Sequence, residues 1–169
     1  MRAIVSVTPP GEVGTITLIV AADQATKALI RSRFSLYDTT EIIPGLLNLT
    51  RVHNTGAAFG MLNATDLPAK TLLLGVVAAA ALIGLGLYAA ALPREQWLTR
   101  AGLTLIIAGA AGNLIDRIAL GYVVDFVDVV FGSWHFWAFN VADSAITVGV
   151  VLMILDMFGL GRRRVSGTL

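Results

Sequence analysis

Four long apolar stretches constrain this chain more than any other feature. They run over residues 13–30, 72–92, 98–120 and 141–160. A bilayer core of about 30 Å takes about 20 mostly apolar residues in a helix. Charged residues make up 14% of the chain, well below the usual quarter of a soluble domain. The sequence therefore predicts an all-α membrane protein of one domain, residues 1–169, with four transmembrane helices.

Two segments lie between these stretches, at residues 39–62 and 121–140. Within the first, residues 47–52 alternate apolar and polar side chains, as a half-buried strand does, after a Pro44-Gly45 turn signal. Within the second, Trp134 and its aromatic neighbours suit the membrane–water interface. We expect a small β-containing segment and an interfacial segment outside the membrane.

Composition excludes several functions. The chain has no cysteine, so it has no disulfide, no thiol nucleophile and no cysteine of its own to carry a lipid. Its two histidines, His53 and His135, are too few for a zinc site, and no metal or cofactor is implied. The formal net charge of +1 gives no argument for a nucleic-acid partner.

Basic residues near the ends of the apolar stretches set the expected orientation. One side of the membrane would hold, in short segments, Arg2, Arg94, Arg100, Arg162, Arg163 and Arg164. The other side would hold, in longer segments, Arg31, Arg33, Arg51, Lys70 and Arg117. The denser side is expected in the cytoplasm, which places both termini there and both intervening segments outside.

Ionisable side chains inside the apolar stretches are the first functional candidates. Asp23 and Lys27 lie four residues apart, so they share one helix face and can pair. A lone Asp near the centre of a membrane helix costs about 2.5–3.5 kcal/mol, so Asp23 should face the bundle interior with a partner. Asp116 and Arg117, behind Asn113, form a second polar cluster. Both clusters are expected to support a site at the outer face.

Asp125 follows the third apolar stretch and Asp143 begins the fourth, so antiparallel neighbours would bring both carboxylates to one level. Two close carboxylates share a proton and can perform acid–base chemistry on an amide. The alternative for Asp143 is a helix cap or dipole partner. Asp128 and Asp156 are expected to be solvated charges.

Other interpretations remain open from the residues alone. The first apolar stretch also resembles a cleaved signal peptide, although its only early basic residue, Arg2, lies far from the apolar run. A transporter or channel would also keep polar residues inside its spans, but usually shows internal repeats. A structural membrane subunit is a third option, which leaves the matched depth of Asp125 and Asp143 unexplained.

Five short stretches stand out, in this order: Asp-Gln-Ala-Thr-Lys at 23–27, Asn-Thr-Gly-Ala-Ala-Phe at 54–59, Gly-Ala-Ala-Gly-Asn-Leu-Ile-Asp-Arg at 109–117, Val-Val-Asp-Phe at 123–126 and Phe-Asn-Val-Ala-Asp-Ser-Ala at 139–145. Taken together, they resemble the motifs of the lipoprotein signal peptidase (signal peptidase II) family. The chain departs from the family at Ala110, where a second glycine is frequent.

The resemblance implies an aspartic endopeptidase of the bacterial inner membrane with Asp125 and Asp143 as the catalytic pair. Its substrate would be a prolipoprotein, cut just before a cysteine that carries diacylglycerol, and membrane lipids would be its other partners. Because one chain holds every motif, a monomer is expected. The supporting or substrate-binding residues would be Asp23, Lys27, Asn54, Gly56, Asn113, Arg117 and Asn140. The glycine-rich run at residues 54–60 is expected to act as a flexible flap.

Overall fold

In the computed structural model the chain is described over residues 10–56 and 70–160. Its helices are α1 (Pro10–Arg33), α2 (Lys70–Ala91), α3 (Trp97–Leu120) and α4 (Val141–Met157). Three described helices, α1, α2 and α3, are long and apolar enough to cross a membrane. The described residues do not include Arg162, Arg163 and Arg164, nor residues 57–60 of the expected flap.

Helices α3 and α4 pack face to face through glycines. A methyl group added at Gly102 would lie 2.6 Å from the carbonyl oxygen of Gly149, and one at Gly109 would lie closer still to that of Ala142. Small residues permit this close backbone approach in membrane helices. Helices α1 and α2 both contact α3, and α1 also contacts α4. The close α3–α4 contact fixes where the first turn of α4 lies.

One four-stranded antiparallel sheet joins the two segments between the helices. Its strands are β1 (Thr39–Ile43), β2 (Leu47–Asn54), β3 (Val123–Phe131) and β4 (Trp134–His135), in the order β1-β2-β3-β4. The strand predicted over residues 47–52 is confirmed as part of β2. The turn before it is also confirmed, with Gly45 at a φ of +67° that suits glycine.

The prediction of an interfacial segment over residues 121–140 is incomplete, because strands β3 and β4 form much of this segment. Strand β3 is rich in Val and Phe, residues that favour strands. It is held by pairing with β2, in a register that places Val52 opposite Asp125. The aromatic side chains of Trp134 and Trp137 are exposed, 52% and 56% respectively. The sheet packs against the end of α1 through a small apolar core of Ile30, Val124 and Phe126.

Two aspartates expected to be solvated are not. Asp128 is buried in β3, where its carboxylate accepts hydrogen bonds from Asn48 Nδ2 at 3.1 Å and pairs with His135 Nδ1 at 2.9 Å. Asp156 is half-buried and accepts a hydrogen bond from Thr99 Oγ1 at 2.5 Å. Both predictions were wrong because each carboxylate has a partner far away in the sequence, Asn48 for Asp128 and Thr99 for Asp156.

The far end of the bundle is tied together by Arg100. Its guanidinium forms a bidentate salt bridge with Glu12, at 2.7 and 3.0 Å, and donates to the carbonyl oxygens of Ala89 and Leu92. Arg100 therefore joins the beginning of α1 and the end of α2 to α3. This contact lies at the end of α3 opposite Asn113 and Arg117.

Candidate active site

The two candidate catalytic carboxylates come from different elements. Asp125 is the third residue of β3, and Asp143 lies in the first turn of α4. Asn140 caps α4, because its Oδ1 accepts from the backbone N–H of Asp143 at 2.9 Å. In return, Asp143 Oδ2 accepts from the backbone N–H of Asn140 at 3.2 Å. The capping role foreseen for Asp143 is thus present, and it holds the carboxylate in place.

Three asparagine side chains donate hydrogen bonds to this pair. Asn140 Nδ2 lies 2.7 Å from Asp125 Oδ1, and Asn54 Nδ2 lies 2.9 Å from Asp125 Oδ2. Asn113 Nδ2 lies 2.8 Å from Asp143 Oδ1. Asn140 therefore contacts both aspartates, one through its side chain and the other through its backbone. Donors of this kind favour the ionised form of a carboxylate.

The orientation of each amide is imposed by a group on its oxygen side. The backbone N–H of Gly56 donates to Asn54 Oδ1 at 2.9 Å. The backbone of α4 fixes Asn140 through the cap, and Lys27 Nζ donates to Asn113 Oδ1 at 2.9 Å. Because an amide has donors on one side and an acceptor on the other, each of the three must turn its N–H groups toward a carboxylate.

Burial opposes ionisation of Asp125. Its side chain is 2% exposed. Burial, and then the negative charge of Asp143, raise the pKa of Asp125 to about 7, while the hydrogen bonds from Asn54 and Asn140 hold it lower than it would otherwise be. One of the two carboxyl groups can therefore keep a proton near neutral pH, as acid–base chemistry on an amide requires.

Behind the pair lies a buried ion cluster of Asp23, Lys27 and Asp116. Lys27 Nζ lies 2.8 Å from Asp23 Oδ2 and 3.1 Å from Asp116 Oδ2. The pairing predicted for Asp23 and Lys27, and the inward orientation predicted for Asp23, are confirmed. Asp116 joins this same cluster, so the two polar clusters expected from the sequence are one.

Gln24 was quoted within a motif but given no role, and it belongs to this cluster. Its Nε2 lies 3.0 Å from Asp116 Oδ1 and 3.1 Å from the carbonyl oxygen of Gly112. Gln24 therefore connects α1 to α3 beside the lysine. The signal available in the sequence was its position next to Asp23, as a further polar residue within a largely apolar stretch.

Arg117 makes its hydrogen bonds with backbone carbonyl groups and not with the Asp116 side chain. Its guanidinium donates to the carbonyl oxygens of Gly56, at 3.1 Å, and Asn113, at 3.3 Å. It thereby ties the segment after β2 to α3, beside the two aspartates. The structure brings all nine residues singled out from the sequence into one region at the sheet end of the bundle. Within residues 10–56 and 70–160, no group of three metal-ligating side chains is present.

Comparison with known proteins gives a consistent assignment. Residues 15–159 match the sequence model of the family described as signal peptidase (SPase) II. A lipoprotein signal peptidase of Solibacter usitatus (strain Ellin6076) is 44% identical over 147 residues, 85% of this chain and 88% of that protein. One of Geobacter metallireducens (strain ATCC 53774 / DSM 7210 / GS-15) is 41% identical over 152 residues, 90% of this chain and 91% of that protein.

Solved structures agree with these sequence matches. A bacterial membrane enzyme determined by the in meso method superposes with a TM-score of 0.79 at 32% identity, covering 94% of each chain. A second structure of the same description has a TM-score of 0.75 at 33% identity and the same coverage. The fold and the relatives define a bacterial membrane peptidase. The chain belongs to the signal peptidase II family.

Proposed function

We propose that this chain is a membrane aspartic endopeptidase that uses Asp125 and Asp143 to remove the signal peptide from diacylglyceryl-modified prolipoproteins, cutting before the lipidated cysteine. Family membership supports the removal of signal peptides from prolipoproteins. The catalytic assignment rests on the two contacts of Asn140, which donates to Asp125 from its side-chain amide and to Asp143 from its backbone N–H. The negative charge of Asp143 also raises the pKa of Asp125, so the two carboxyl groups can titrate as a pair.

The pair suits hydrolysis of a peptide bond. Asp143 is the more exposed of the two and takes a proton from water, whose oxygen attacks the scissile carbonyl carbon. Asp125 gives its proton to the carbonyl oxygen, which yields a neutral tetrahedral diol. Asp143 then returns its proton to the leaving nitrogen as the C–N bond breaks, and Asp125 recovers a proton from the diol. The pair ends in its starting state.

The proposed membrane placement has four spans, both termini in the cytoplasm and the active site at the outer face of the bacterial inner membrane. Helix α4 has 17 residues, which is about 26 Å of helix and close to the thickness of a bilayer core. Apolar side chains continue its surface at Phe158 and Leu160, which are 80% and 69% exposed. Arg100 and its partners would then lie on the cytoplasmic side.

The proposed substrate carries acyl chains, and the bundle offers lipid-like surface to them. In the described part of α2 no residue is buried, and its exposed side chains include Leu72, Ile83 and Leu87. A lipidated precursor can therefore reach the site laterally from the bilayer, where membrane lipids are its neighbours. We propose a monomer, because one chain contains all five motifs, and a single domain, because the sheet packs on α1.

Replacing each aspartate by asparagine tests the catalytic assignment. Asp125→Asn and Asp143→Asn keep the side-chain shape and remove the titrating group. Purified variants in detergent, mixed with a lipidated precursor, should lose cleavage while their thermal unfolding stays cooperative. Asp156→Asn is the matched control, because it changes a half-buried carboxylate on the same helix α4 away from the site. Full cleavage by either Asp125→Asn or Asp143→Asn would refute the dyad.

A further inference from the structure

The ammonium group of Lys27 has an acceptor for every one of its protons. A lysine ammonium carries three N–H donors. Its Nζ atom lies 2.8 Å from Asp23 Oδ2, 3.1 Å from Asp116 Oδ2 and 2.9 Å from Asn113 Oδ1. The side chain is only 1% exposed. Lys27 therefore has neither a free donor nor an open path to a substrate.

Each of its two carboxylate partners holds the backbone next to one catalytic residue. Asp23 Oδ1 accepts from the backbone N–H of Ala142, the residue before Asp143, at 2.9 Å. Asp116 Oδ2 accepts from the backbone N–H of Val124, the residue before Asp125, at 3.0 Å. The two halves of the site, one on α4 and one on β3, are thus anchored to a single ammonium.

The third partner, Asn113, connects that ammonium to the catalytic carboxylates themselves. Its Oδ1 accepts from Lys27 and also from Asn140 Nδ2, at 3.1 Å, while its Nδ2 donates to Asp143. The same Asn140 Nδ2 donates to Asp125. Because an ammonium can only donate, Lys27 forces the amide oxygen toward itself. Without it, a flipped Asn113 would present its oxygen to Asp143.

We propose that Lys27 is a positioning residue for the reaction, which sets the spacing of Asp125 and Asp143 and keeps the Asn113 amide turned as a donor to Asp143. This inference rests on the proposed catalytic pair. An ordinary buried salt bridge would need only one carboxylate, whereas here each of the three partners makes one further hydrogen bond, either to a catalytic carboxylate or to the backbone N–H of the residue before one. Lys27 itself touches no reacting atom.

The ammonium also acts on the pair through its charge. Its positive charge is among the causes that hold down the pKa of Asp125, against the larger effects of burial and of Asp143. Replacing it by a neutral side chain removes this effect, so the pKa of Asp125 rises. The pH at which cleavage fails on the alkaline side should therefore move upward.

Two variants and one control test the proposal. Lys27→Gln keeps N–H donors but loses the charge, and Lys27→Met loses both. Arg33→Met removes a positive charge from an exposed position on the same helix α1. Cleavage of a lipidated precursor is followed from pH 5 to 9, with kcat and KM measured separately and folding checked by thermal unfolding.

We expect kcat to fall at least tenfold in Lys27→Met and less in Lys27→Gln, with KM little changed. The alkaline limb of the pH profile should move upward in both variants, and Arg33→Met should match the parent protein. A merely structural lysine would lower the yield of folded enzyme and leave the kcat of the folded fraction unchanged. An unchanged kcat or an unmoved limb in the folded variants, or failure of both variants to fold, would overturn the positioning role. Cleavage lost in Asp125→Asn but normal in Lys27→Met would sink this inference alone and leave the dyad standing.

Discussion

Asp23 Oδ1 accepts a hydrogen bond from the backbone N–H of Ala142 at 2.9 Å, so a side chain of α1 holds the first turn of α4 one residue before Asp143. Asp23 is fully buried and is separated from Ala142 by 119 residues of sequence. The position of a proposed catalytic carboxylate thus depends on a helix that contributes no catalytic atom.

The first prediction separates the two tasks of Asp23. Asp23→Asn keeps an oxygen that can accept from Ala142 but loses the charge that faces Lys27, and Asp23→Ala loses both. A hydrogen bond to a charged group contributes about 1.5–3 kcal/mol. Asp23→Ala should therefore unfold at a lower temperature than Asp23→Asn and cleave at least tenfold more slowly, as measured on purified protein in detergent. Equal turnover in the two variants would show that the Ala142 contact does not position the site.

The second prediction concerns the pH dependence of cleavage. Because the pKa of Asp125 is raised to about 7, this residue is protonated below that pH and loses its proton above it. In the proposed mechanism Asp125 is the acid, so kcat/KM should decline as the pH rises through about 7. Initial rates on a lipidated precursor between pH 5 and 9 measure this. A profile that stays level up to pH 9 would contradict the assignment of Asp125 as the acid.

The third prediction concerns stability rather than activity. The folded state binds the Asp125 proton more tightly than the unfolded state, because the pKa is raised from 3.8 to about 7. The stabilisation that this proton provides is present at low pH and is lost as the pH rises through that window. The Asp125→Asn variant has no carboxyl group at this position, so it does not lose this stabilisation. Its melting temperature relative to that of the parent protein should therefore rise between about pH 4 and 7 and stay level at higher pH. A difference in melting temperature that stays constant over this pH range would argue against the raised pKa.

The fourth prediction uses two glycines in different surroundings. A methyl group at Gly112 would lie 2.6 Å from Asp23 Oδ2, whereas one at Gly84 would meet nothing within 4 Å. Overpacking of a close contact costs about 1–3 kcal/mol. Gly112→Ala should displace Asp23, lower the melting temperature and slow cleavage, and Gly84→Ala should do neither. Parent-like turnover in Gly112→Ala would mean that the Asp23 carboxylate can move without consequence.

The helices could be predicted from the sequence because their signal is local. Helices α1, α2 and α3 coincide with apolar stretches long enough for a bilayer, and their ends differ from the ends of those stretches by at most three residues. The sheet was harder, because its central pairing joins residues about eighty positions apart, as in the Asn48–Asp128 contact. No local pattern specifies a partner at that distance.

The residues of the candidate site could be singled out from the sequence, whereas several of the contacts between them could not be predicted. The motif resemblance singled out the residues around Asp125 and Asp143, and simple helix spacing was enough to pair Asp23 with Lys27. Neither signal predicted that Asp116 pairs with Lys27 of α1 rather than with its neighbour Arg117. That pairing depends on how α1 packs on α3. Gln24 was missed for the same reason, since both of its α3 partners are distant in sequence.

The fixed orientation of the three amides has a consequence for inhibition and resistance. In the proposed mechanism a competitive inhibitor would bind beside Asp125 and Asp143, the carboxylates to which Asn54, Asn113 and Asn140 donate. A substitution that weakened the inhibitor by altering one of these amides would also remove a donor on which the proposed mechanism depends. Resistance without loss of fitness would then have to arise in residues that contact only the remainder of the inhibitor.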